Sequence, residues 1–104
     1  MIIRDSLIKR FEFCYELTWK FIKDYVEKFH DISIASPKKV FNECLKQNLT
    51  SLEETETLLN MVDDRNMTTH LYDEASTEEI SQRIHHYFKV MNITIQRLKQ
   101  NIIQ

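Results

Sequence analysis

Residues Ser51 to Ala75 read SLEETETLLNMVDDRNMTTHLYDEA. On an ideal helix turning roughly 100° per residue, Leu52, Thr55, Leu58, Leu59, Met61 and Val62 share one side, as a core-facing stripe does. Extended along the same wheel, Arg65, Asn66, Thr69, His70 and Tyr72 fall within that arc, so the apolar stripe continues as a polar patch. A buried or half-buried polar group costs about 1–3 kcal/mol unless it finds a partner. Such a patch must therefore be satisfied by other side chains, a second chain or a ligand. The outer side is unusual too: Met67 and Leu71 sit among Asn60, Asp64 and Thr68, where solvent is expected. Either the helix changes register there or something covers it.

Two capping signatures segment the chain around this stretch. Ser51-Leu-Glu-Glu54 opens the third helix as a capping box, and Ser76-Thr-Glu-Glu79 repeats the pattern for a fourth. That last helix is expected from Thr77 to Ile102 on the stripe Ile80, Ile84, Tyr87, Met91, Ile95, Leu98 and Ile102, about 39 Å long at 1.5 Å per residue. Upstream, Ser36 and Pro37 mark the N-cap and first position of a short second helix reaching about Gln47, with Val40, Phe41, Cys44 and Leu45 on one side. The first helix is expected from Asp5 to Phe29. Its seam, Ile8, Phe11, Tyr15, Thr18, Ile22, Tyr25 and Phe29, repeats at spacings of three and four. Leu7, Cys14, Leu17 and Phe21 widen the apolar arc on one flank, and Trp19 and Val26 on the other, to roughly 200°. An arc that wide predicts a central helix or a subunit contact. Lys9, Glu12, Glu16, Lys20, Lys23 and Glu27 read as the solvated face. Phe13 interrupts that face and Arg10 borders the apolar one, which makes both candidates for contact with a partner.

Composition excludes several classes. In 104 residues there is no glycine and one proline, Pro37. Hairpin turns and phosphate-cradling loops depend on glycine for positive φ or close backbone approach, so a β-rich or dinucleotide-binding fold is not expected. If the protein works with nucleotides, another chain supplies the transfer chemistry. The net charge of −2 predicts no general attraction to nucleic acid. The charge is unevenly placed, however. From Glu53 to Glu79 nine acids face one base, Arg65, giving −8, and the remainder carries +6. A basic partner or a second copy in antiparallel contact could read that asymmetry. Cys14 and Cys44 sit at apolar helical positions and suggest no disulfide. No signal-peptide core or membrane-length apolar run occurs, so the expectation is one cytoplasmic domain, residues 1–104, with no membrane association.

The chemistry of the central stretch has two readings. His30, His85 and His86 lack ligand-spaced partners, so no metal site and no cofactor is expected. Arg65 and Tyr72 nearly eclipse on a helix, whereas His70 lies about 140° around from Arg65. On one straight helix the cation and the imidazole cannot easily grip the same atom; across a twofold axis they could line a common cleft. There histidine would act as general acid or base and arginine would stabilise developing phosphate charge. The other reading is a satisfied polar layer, with Arg65 on Asp63, Asp64 or a tyrosine and His70 on a carbonyl.

RDSLIKRFEFCYELTWK (Arg4 to Lys20), SPKKVFNECLKQNL (Ser36 to Leu49) and DDRNMTTHLYDE (Asp63 to Glu74) together resemble the nucleotidyltransferase substrate-binding proteins, small helical bundles within the broader HEPN group that includes HepT-type toxins. The resemblance spans nearly the whole chain. It implies an all-α, up-and-down antiparallel bundle of about four helices that dimerises and pairs with a separate minimal nucleotidyltransferase, as one half of a toxin–antitoxin-like module. In HepT-type members an Arg-x4-His-x-Tyr motif carries ribonuclease activity and its tyrosine is AMPylated by the partner; the matching residues here are Arg65, His70 and Tyr72. Two functions follow as expectations. One is an accessory subunit that binds the partner's substrate, with Asp64, Asn66, Tyr72 and Arg10 as binding residues and Tyr72 as the modified one. The other is a metal-independent ribonuclease, with Arg65 and His70 catalytic and RNA or a nucleotide in the dimer cleft. The motif spacing supports the second, whereas the acidic surroundings of Arg65 argue against RNA binding and favour the first. Relatives usually carry a further helix before the Arg4 segment, and Met1 lies only three residues ahead of it. The expectation is a bundle one helix short, its first helix left for another chain to cover.

Overall fold

Ile8, Phe11, Tyr15, Thr18, Ile22 and Tyr25 are all buried, and with Val26 they form the inner face of a helix spanning Ile2–His30 (α1). The structure, a computed structural model, describes residues 2–71 and 73–103, with side chains from Ser6 onward. Three further helices follow, Pro37–Lys46 (α2), Leu52–Met67 (α3) and Glu74–Ile103 (α4), and a turn of 3-10 helix at Thr68–His70 links the last two. No strand occurs among the described residues. The fold is the expected all-α bundle of four helices.

Local chemistry sets the helix ends. In a chain without glycine, the left-handed positions that close helices fall to residues whose short polar side chains tolerate them. Asp31, just after α1, has φ 55°, and Asn48, after α2, has φ 59°. At Asn48 the two bonds of a Schellman closure form, Asn48 N–H to the Leu45 carbonyl at 3.1 Å and Leu49 N–H to the Cys44 carbonyl at 2.8 Å. Ser36 and Pro37 begin α2 as expected, although the Ser36 side chain makes no capping bond. The Ser51–Glu54 capping box is formed in full: Glu54 N–H donates to Ser51 Oγ at 3.1 Å and Ser51 N–H to Glu54 Oε1 at 2.9 Å. The second expected box is corrected. α4 begins at Glu74, because Asp73 accepts from Ser76 N–H at 2.7 Å and so caps the helix three residues before the Ser76 signature.

Cross-helix contacts fix the directions. Glu54 meets Arg97, while Asp64 meets Arg83 and Tyr87, so α3 runs antiparallel to α4. Lys38 reaches Asp63 at 2.8 Å, making α2 and α3 an antiparallel hairpin. Glu12, early in α1, contacts Thr68, just past the end of α3. The molecule is 44 Å long, about the length of α1 or α4 alone at 1.5 Å per residue. α1 and α4 must therefore lie side by side in the same direction, with α3 running against both. The connector over residues 31–36 doubles back along α1, so the up-and-down alternation runs from α2 onward.

The core joins all four helices, with Phe11, Phe41, Ile22, Leu58, Met61, Ile84 and Leu98 fully enclosed. Phe11 stacks on Tyr87, ring centroids 5.7 Å apart, which locks α1 onto α4. Three residues of the expected core stripes are exposed instead, one of them Ile102 in the last turn of α4. Leu52 is 62% exposed, since it lies at the edge of the α3 stripe, about 100° from its centre. Phe29 is also exposed, at the end of α1, where it packs on Tyr25.

Arg97 ties α4 to the start of α3. Its guanidinium donates to the Leu49 carbonyl at 2.8 Å and bidentately to Glu54 at 2.9 and 3.1 Å. These bonds, with the capping bonds from Ser51, lower the Glu54 carboxyl from 4.5 to about 2. A carboxyl more acidic in the folded state stabilises it above its unfolded value and loses that contribution as pH falls toward the folded value. Chemical denaturation of wild type and Glu54→Gln is therefore expected to show stabilities that differ at pH 7 and converge between pH 4.5 and about 2. A gap independent of pH would remove Glu54 from the acid response.

Candidate functional site

α3 stops at Met67, and the polar residues expected to continue its inward stripe are re-aimed by that stop. Asn66, Thr69 and His70 are exposed, a correction to the inward patch read from the wheel. The change of register is real: the turn at Thr68–His70 leaves Met67 exposed and brings Leu71 partly against the core. Tyr72 lies outside the described residues.

Arg65 still points inward. Its Nη1 lies 3.1 Å from Glu12 Oε2 and donates to Thr68 Oγ1 at 3.1 Å. The Thr68 hydroxyl in turn donates to Glu12 Oε2 at 2.6 Å and lies 2.7 Å from the Arg65 carbonyl. The Arg65 side chain is 24% exposed and that of Glu12 29%. Its guanidinium carbon sits 5.9 Å from the Tyr15 ring centroid, within cation–π range. Burial, with Glu16 adding and Arg65 opposing, pushes the Tyr15 hydroxyl up to about 12, so this ring is uncharged at neutral pH. Arg65 Nε is buried without a hydrogen-bond partner. The π face of Tyr15 is a weak substitute at best. The result is a corner where a carboxylate from α1, a hydroxyl and a guanidinium close on one another.

The other candidate residues do not converge on that corner. Asp64 accepts from Arg83 at 2.7 and 2.9 Å and from the Tyr87 hydroxyl, which commits it to holding α3 on α4. Burial, with that bond adding, raises the Tyr87 hydroxyl. Asn66 offers its carbonyl to Thr69 Oγ1 at 3.1 Å and turns outward. Arg10 is exposed on α1, its guanidinium 5.6 Å from the centroid of Phe88. By helical phase Glu12 and Thr68 are expected to face solvent, and nothing in local sequence pairs residues 56 positions apart. Beside the corner lies an open cleft of about 270 Å³ bounded by Ile8, Lys9, Glu12, Thr68, Leu71 and Thr77. A larger hollow of about 520 Å³ between the connector and α2 contains none of the candidate residues. Among the described residues no group of histidine, cysteine and carboxylate side chains could hold a metal ion, and both cysteines are free. No helix among them is long and apolar enough to cross a membrane.

A small helical bundle with a basic residue locked into an internal corner defines the class, and comparison supplies the family. The chain matches the family described as nucleotidyltransferase substrate binding protein like over residues 1–100, and it belongs to that family. It is also similar to a crystal structure of a protein from Thermus thermophilus, with a TM-score of 0.91 and 35% identity over 93% of this chain and 82% of that one. No curated protein matches the sequence.

The corner predicts unequal effects of two substitutions. Arg65→Ala leaves Glu12 half-buried without its cation, at about 1–3 kcal/mol, and is expected to lower Tm by on the order of 5–10 °C in calorimetry. His70→Ala, on the exposed side of the turn, is expected to shift Tm by less than half as much. Equal shifts would mean that Arg65 carries no more of the structure than His70.

Proposed function

We propose that this protein is a substrate-binding accessory subunit for a separate minimal nucleotidyltransferase, acting as a cytoplasmic homodimer and forming one half of a toxin–antitoxin-like pair. The observation that carries this reading is the family match across nearly the whole chain. Composition agrees with it, since a glycine-free helical chain has no phosphate-cradling loop of its own and the transfer chemistry falls to the partner. Homodimerisation is supported by Phe13 and Leu17 on α1, 65% and 55% exposed, apolar groups that a second chain would cover.

Tyr72 is the proposed acceptor of an adenylyl group. Its hydroxyl oxygen would bond to the α-phosphorus of ATP, pyrophosphate would leave, and the hydroxyl proton would pass to a base on the nucleotidyltransferase. Two features of this chain favour that position. Tyr72 comes two residues after the Thr68–His70 turn, whose Thr69 and His70 are exposed, and it completes the Arg65, His70, Tyr72 spacing.

A second reading, a metal-independent ribonuclease silenced by that modification, rests on the same spacing, with Arg65 and His70 catalytic. The engagement of Arg65 by Glu12 and Thr68 supports the accessory reading, because a guanidinium whose Nη1 is already committed within the protein is less available to a phosphate. Incubation with the partner and ATP is expected to add the mass of AMP to wild type and not to Tyr72→Phe. Equal labelling of both would overturn Tyr72 as the acceptor. The same preparations assayed for RNA cleavage in EDTA separate the two functions: the accessory reading expects no cleavage, and cleavage abolished by Arg65→Ala or His70→Ala would establish the ribonuclease.

A further inference from the structure

α1 carries a second seam on the side turned away from its core. Arg10, Leu17 and Asp24 lie seven residues apart along the chain, and Phe13 and Phe21 fall between them. At roughly 100° per residue these five share an arc of about 80°, centred on Leu17 and about 140° around from the middle of the buried stripe that runs from Ile8 to Val26. The structure leaves this seam open. Phe13 and Leu17 are among the most exposed large apolar side chains, Phe21 is half-buried, and Arg10 and Asp24 are exposed. Among the described residues neither Arg10 nor Asp24 takes part in an ion pair; Arg10 lies against Phe88.

The order of residues along the seam is what selects an occupant. It reads basic, apolar, apolar, apolar, acidic, so it complements its own reverse. Laid against a second α1 in the opposite direction, with the twofold axis at Leu17, it sets Leu17 against Leu17 and Phe13 against Phe21 of the partner subunit. Each Arg10 then faces Asp24 of the partner subunit. In the parallel arrangement Arg10 would face Arg10 and Asp24 would face Asp24, and like charges brought together at an interface are unfavourable. A twofold contact is also the closed form that most homo-oligomers adopt.

We infer that two copies of this chain associate through antiparallel α1 helices crossing at Leu17, with reciprocal pairs between Arg10 and Asp24 of the partner subunit fixing direction and register. The inference rests on the homodimer proposed above and names its surface. Sedimentation equilibrium of the full chain tests it with charge variants at exposed positions, each checked for helix content by circular dichroism. Arg10→Glu and Asp24→Lys are each expected to raise the dimer Kd by about tenfold or more, since each creates two like-charge contacts. The double variant restores both pairs with reversed sign and is expected to return Kd to within about threefold of wild type. A wild-type dimer whose double variant is no tighter than the singles would overturn this register while leaving the homodimer standing. A wild type that stays monomeric at micromolar concentration would overturn both.

Discussion

One carboxylate, Glu12, holds the corner on which the arrangement of the bundle turns. α1 and α3 lie diagonally across the bundle and have few direct contacts, so the link from Glu12 to Arg65 and Thr68 is what joins them. It does so at the residue where α3 ends. The Thr68 hydroxyl is held by Glu12 and set against the Arg65 carbonyl, and the chain leaves the α-helical path for a 3-10 turn. That turn lets α4 start at Asp73 and run back along α1, where Phe11 meets Tyr87. The two long helices run the same way because the connector after α1 doubles back, and the two reversals that follow, α2 to α3 and α3 to α4, return the chain to that direction.

The sequence revealed the helices more fully than the corner. Apolar spacings of three and four, a Ser-Pro start and a Ser-x-x-Glu box are local signals, and each marks an element that forms. The same wheel failed after Met67 because it assumed that the helix continued. Side chains placed inward by that phase, Asn66, Thr69 and His70, are exposed once the backbone changes its turn. The Asp73 cap was legible in principle, since an aspartate three residues before a serine is a good helix start, but the Ser76 pattern three residues later competed for the same role. Glu12 was not legible at all. It belongs by spacing to a charged outer face, and only the fold brings Thr68 to it.

For function, this placement divides the motif residues. Arg65 is half-buried and engaged, His70 is on the surface, and Asp64 is committed to Arg83 and Tyr87. A catalytic pair needs both members to reach one reacting atom with their polar groups free to act. Arg65 in this conformation commits Nη1 to Glu12 and Thr68 and leaves Nε buried without a partner. The same contact suits an accessory subunit well, because it fixes the turn that leads into Tyr72 while leaving the exposed part of that turn accessible to a partner. Family membership and the engaged Nη1 of Arg65 are the observations on which the accessory reading rests.

The central claim is that Glu12 and Arg65 act as a coupled pair that determines where α3 ends. A double-mutant cycle of Glu12→Ala and Arg65→Ala, followed by urea denaturation at neutral pH, measures that coupling directly. The structure predicts non-additive losses, with a coupling on the order of 1 kcal/mol or more and the double variant little worse than the poorer single one. Losses that add within about 0.5 kcal/mol would show that the two side chains act independently, and would contradict the account.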